Sequence, residues 1–148
     1  MNTKICTSIK QSKKLLELGI DMNTADMHYY KNSFGDYIEG LYNSSDLKEG
    51  CELKGIEYIP AWSLNALMNL LPSEFTTENE FGKYIYEIKI RKYKLIENVN
   101  LHQIAYGNYK FHEDGSSSWK DMINTGEKEE LLDAAYEMVV WLKENNKI

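Results

Sequence analysis

The chain has 148 residues, 43% of them apolar and 27% charged, with only 2 prolines. That is the make-up of a single folded domain, and it excludes the disordered and fibrous classes. A net charge of -6 works against duplex nucleic acid as a partner, and the one basic group, Lys89, Arg91, Lys92 and Lys94, lies within one predicted strand, where a solvated face is the simpler reading.

In chain order, Ser8 and Gln11 have the spacing of a capping box, and Gly19 followed by Ile20 fits a left-handed cap with Ile20 folding back onto Leu15. The spacing predicts a helix over 8–18, with Ile9, Leu15 and Leu16 as its apolar side. From Met27 to Tyr42 aromatic and β-branched residues are separated by Asn32, Ser33, Gly35 and Asp36, which predicts two short strands and a turn. Asn43 to Gly55 reads as a surface loop, and Ile56 to Ile59 as a short edge strand ended by Pro60. Ser63 then caps a short helix, with Trp62 placed to staple onto Leu67. Leu64, Leu67, Met68 and Leu71 form its stripe, and Pro72 is its stop.

Gly82 to Ile96 alternates, with Tyr84, Tyr86, Ile88 and Ile90 on one face and Glu87, Lys89 and Arg91 on the other. Gln103 to His112 is its expected antiparallel partner. Ile104 and Tyr106 are in phase, whereas Tyr109 and Phe111 slip by one residue after Gly107, the mark of a β-bulge. His112 to Gly126, with Gly115 and Ser116 to Ser118, reads as a loop anchored by Trp119. Glu127 to Asn145 reads as a helix whose main stripe is Leu131, Ala135, Met138 and Leu142, flanked by Leu132, Tyr136 and Val139. The fold class expected is therefore α+β: one domain, a small mostly antiparallel sheet and about three helices.

Three stretches, Ile5–Leu15, Ile59–Leu67 and Asp133–Leu142, resemble a group of small proteins of gut Bacteroidetes and their phages or prophages. The group carries no established reaction or site residues, so the resemblance implies only a setting, an accessory gene of a phage or mobile element.

The residues give little support to catalysis. Asp26 with His28, and His112 with Glu113 and Asp114, lack the spacing of a metal site, and neither Cys6 nor Cys51 belongs to a Cys-x-x-Cys pair. Ser116 to Ser118 lie near His112 without a nucleophile elbow, and no glycine-rich phosphate loop occurs. Glu130, Asp133 and Glu137 are spaced like magnesium-binding carboxylates but lack a second acidic helix. No metal, no cofactor and no enzymatic activity are expected. The start Met1-Asn2-Thr3-Lys4-Ile5-Cys6 has no signal-peptide core and no apolar run approaches the about 18 residues of a membrane span. A cytoplasmic protein with free thiols and no membrane partner is expected.

What stands out is 11 tyrosines and 3 tryptophans. Two readings follow from them. In the first, Tyr84, Tyr86, Tyr106 and Tyr109, with Arg91 and Trp62, line an aromatic pocket that binds or sequesters a small nucleotide-like ligand. The plainer alternative for the tyrosines is the core-facing half of a sheet. In the second reading the chain is an adaptor or inhibitor that meets a host protein, or a second copy of itself, through Trp141, Met138 and Trp119. For Trp141 and Met138, packing under a loop or the chain start is the competing reading.

Overall fold

The chain folds as the α+β protein its sequence predicts, with its strands divided between two antiparallel sheets. The computed structural model describes residues 4–41, 49–52, 54–94 and 99–148. They gather into two compact units, Met1–Leu70 and Leu71–Ile148. Among the described residues no helix is long and apolar enough to cross a membrane.

In the first unit the local signals at both ends of helix α1 (Ile9–Glu17) are realised. The Gln11 N–H donates to Ser8 Oγ and the Ser8 N–H donates to Gln11 Oε1, so two orphan helix donors are satisfied reciprocally. At the far end Gly19 has φ of 78°. Gly19 N–H donates to the Leu16 carbonyl and Ile20 N–H to the Leu15 carbonyl, the pair of bonds that closes a Schellman cap.

Strands β1 (Met27–Lys31), β2 (Tyr37–Leu41) and β3 (Tyr58–Ala61) form a sheet in the order β2-β1-β3. Pro60 does not end β3 but sits inside it opposite His28, which is tolerated because β3 is an edge strand and no ladder bond is lost on its outer side. Of the predicted loop 43–55, residues 43–48 and 53 lie outside the described residues, while 49–52 are helical. Helix α2 (Leu64–Leu70) starts where Ser63 Oγ accepts from the Ala66 N–H, and Asp26 accepts in turn from the Ser63 N–H and hydroxyl. The core of this unit joins Cys6, Met27, Tyr29, Ile59 and Ala61. Around it, the Tyr29 hydroxyl donates to the Thr7 carbonyl at 2.8 Å, and the Trp62 N–H to Thr7 Oγ1 at 3.0 Å.

In the second unit β4 (Glu74–Asn79), β5 (Gly82–Lys94), β6 (Asn100–Phe111) and β7 (Ser117–Asn124) form a meander in that order, and helix α3 (Leu131–Glu144) packs on β6. The predicted extension of β5 to Ile96 lies outside the described residues. Two expectations are corrected. The segment read as a loop from His112 is instead a tight turn over 112–116 followed by strand β7. Its hydrogen bonds to β6 outweigh the weak strand preference of its serines. The last helix starts at Leu131 and not at Glu127, because Lys128 is spent on backbone pairing with His102.

The slip expected at Gly107 is present, but the inserted residue is on β7: Tyr106 faces Ile123 and Gly107 faces Asp121, leaving Met122 extra. This reverses the phase of β7. Trp119 and Asp121 share the face of Gly107 and Tyr109, whereas Ile123 shares the face of Tyr106, onto which α3 packs.

Candidate functional site

The alternation of β5 and β6 divides the predicted ligand residues between two faces of the four-stranded sheet. Tyr84, Tyr86 and Tyr106 are on the face covered by α3, and Arg91 and Tyr109 on the outer one. Trp62 belongs to the first unit, where it is fully buried and its indole N–H donates to Thr24 Oγ1 at 2.9 Å. It is a core residue of that unit. Tyr106 is also fully buried, and its hydroxyl donates to the Pro72 carbonyl at 2.5 Å. Burial pushes this phenol well above its usual range, so Tyr106 supports the sheet from within.

On the α3 side the sheet leaves an open concavity of about 380 Å³. Tyr84, Tyr86, Asn108, Lys110, Lys120, Asp121 and Met122 line it. The register explains the convergence, since Asn108 pairs with Lys120 and both point to the face of Tyr86. Tyr86 is steadied from below: its ring centroid is 5.6 Å from that of Phe75, which lies 5.0 Å from that of Tyr106. A stack thus rises from the core to the floor of the concavity. Lys110 and Lys120 are exposed, and neither is in an ion pair among the described residues.

Asp121 also borders the concavity, but its carboxylate is bonded on the other face. Arg91 donates to it through both terminal nitrogens, at 2.7 and 2.6 Å, and the Trp119 indole N–H donates at 2.5 Å. These bonds, Arg91 first, hold the Asp121 carboxyl down at about 2 and raise Arg91. Arg91 is therefore a structural partner of Asp121 and Gln103, not a free cation for a ligand.

Tyr109 is 52% exposed on that outer face and meets Trp119 edge to face, with centroids 5.2 Å apart. Of the residues assigned to a partner surface, Met138 is fully buried, whereas Trp119 and Trp141 are both half-buried. Trp141 packs toward the sheet with its ring centroid 6.3 Å from that of Phe75, and it stands outside the main stripe as the helical wheel places it.

A second cleft, of about 360 Å³, opens in the first unit beside His28, Tyr30, Glu39, Cys51 and Lys54. Burial lowers the His28 pKa and favours the neutral ring, so Lys54 and Glu39 leave this cleft without a net charge to select an ion. Among the described residues no cluster of His, Cys, Asp and Glu has the geometry of a metal site. Comparisons with protein-family models, curated proteins and solved structures gave no match.

Proposed function

We propose that the chain is a non-enzymatic binding protein, of the accessory type its three resembling stretches suggest, and that it holds a small nucleotide-like ligand on the α3-side face of its four-stranded sheet. The observation that carries this reading is the convergence of Tyr84 and Tyr86 with Lys110 and Lys120 on one concavity of about 380 Å³, a volume within the range of small-molecule sites. An aromatic base stacks on tyrosine because both present π faces, and a phosphate is drawn to two lysines, the one carboxylate of the lining, Asp121, being paired with Arg91. Asn108 adds an amide that can donate to and accept from a base edge.

The test is a thermal-shift and calorimetric panel of mono-, di- and cyclic nucleotides. A ligand present at about a hundred times its dissociation constant adds roughly 2.7 kcal/mol of stability. The double charge reversal Lys110→Glu with Lys120→Glu is expected to weaken binding at least tenfold and to remove most of its salt dependence, while Tyr84→Ala costs about 1–3 kcal/mol of stacking. A panel without any shift, or a shift indifferent to these three positions, rejects the reading.

The protein-binding reading is favoured by one observation. Phe81 and Phe111 are 80% and 84% exposed, and the register of β5 with β6 puts them at the same end of the sheet. A flat nucleotide panel combined with partner capture that Phe111→Ser abolishes would decide for it.

A further inference from the structure

The outer face of the four-stranded sheet holds a feature that the nucleotide reading does not use. The rings of Tyr109 and Trp119 stand at 79° to each other, with their centroids 5.2 Å apart, and form an aromatic corner. Lys89 occupies it: its Nζ lies 4.8 Å from the Trp119 centroid and 5.9 Å from that of Tyr109, both inside the roughly 6 Å reach of a cation–π contact.

The corner is built rather than accidental. Trp119 is fixed along its edge by its bond to Asp121, which Arg91 clamps with two further bonds. Its flat side rests on Gly107, where an added methyl would lie 2.9 Å from Cε2. The aromatic walls are thus held in place, and Lys89, on a flexible four-carbon stem, is the mobile member.

We propose that this corner is a recognition site for a methylated ammonium group, with Lys89 as its displaceable internal occupant. A primary ammonium is strongly hydrated and gives up much of that hydration to sit against rings, whereas N-methylation removes the N–H donors, weakens hydration and adds apolar contact to both faces. Charge points the same way. Asp121 is neutralised by Arg91, so the corner is neutral once Lys89 leaves and receives a cation without repulsion. Glu87, exposed on the same face opposite Gly107, adds a negative charge there.

The experiment titrates the intact chain with tetramethylammonium chloride and follows tryptophan fluorescence, with Trp119→Phe identifying the signal that belongs to this residue. Lys89→Ala, a truncation of a half-buried side chain that leaves both rings in place, is expected to bind the probe about two- to fivefold tighter than the unaltered chain. The neutral isostere 3,3-dimethylbutanol is expected to bind neither form. Choline phosphate and free trimethyllysine, as separate arms, distinguish a lipid headgroup from a modified side chain as the source of the group. Lys89→Ala binding no tighter than the unaltered chain, or the isostere matching the cation, overturns the proposal. Lys110 and Lys120 are on the opposite face, so their charge reversal leaves this titration unchanged whether or not a nucleotide binds.

Discussion

Gly107→Ala is expected to cost about 3 kcal/mol, the upper end of overpacking penalties, which for a chain of this size lowers the midpoint of thermal unfolding by roughly 10 °C. The reason is space and not backbone freedom. A Cβ at this position would lie 2.2 Å from the Lys120 carbonyl oxygen and 2.9 Å from its carbon, and those are backbone atoms of the paired strand that cannot swing aside. To admit the methyl, β6 and β7 must separate at the bulge between Tyr106 and Gly107, which disturbs the ladder on both sides. The same methyl presses on Trp119, 2.9 Å away, so the variant should also shift tryptophan emission toward that of a more solvated indole. Urea unfolding of the two chains measures the first effect and native-state fluorescence the second. A loss below about 0.5 kcal/mol, the size of an ordinary surface substitution, would mean that the strands relax around the bulge at little cost.

That glycine also shows how far the sequence could be read. The change of face from Tyr106 to Tyr109 draws attention to Gly107, but β6 alternates without a break there and the extra residue, Met122, belongs to β7, which no single-strand pattern in β6 could place. The caps of α1 are legible because Ser8, Gln11, Gly19 and Ile20 make their bonds within a few residues of themselves. What fails is whatever depends on a neighbour distant in sequence. β7 opens with Ser117 and Ser118 and reads as loop until Gly107 and Tyr109 supply the ladder. β4 carries Phe75 as the one apolar residue among Glu74, Thr76, Thr77, Glu78 and Asn79, so it shows no alternating apolar stripe.

The site divides along the same line. Tyr84 and Tyr86 share a face by simple alternation, but Lys110 and Lys120 join them only through strand pairing. Arg91 looks like a free cation in sequence because Asp121, 30 positions away, gives no local sign of claiming it. Trp62 and Tyr106 show the opposite error, since large aromatics suited to a pocket wall are equally suited to a core, and burial is not written in residue type.

Asp121→Asn is expected to cost about 2 kcal/mol near neutral pH, and its pH dependence separates loss of charge from loss of shape. The carboxylate accepts two bonds from Arg91, one from Trp119 and a longer one, 3.3 Å, from Asn124. Both partners of the ion pair are only about one-fifth exposed, 21% and 22%, so solvent screens the pair weakly. With Asp121 titrating at about 2 when folded and near 3.9 when unfolded, the unfolded chain binds the proton first as pH falls. The contribution is therefore complete above roughly pH 5 and lost as pH falls through 4 toward 2. An asparagine keeps the shape and one acceptor oxygen, and Gln103 still accepts from Arg91, but the guanidinium is left without a counter-charge. Denaturant unfolding of both chains at pH 7 and at pH 2.5 should show a gap of about 2 kcal/mol that narrows to well under half in acid. A gap of equal size at both pH values would assign the stabilisation to the geometry of the hydrogen bonds and not to the ion pair. Because Asp121 also holds the Trp119 indole, the same variant should loosen the aromatic corner and raise the rate at which acrylamide quenches Trp119.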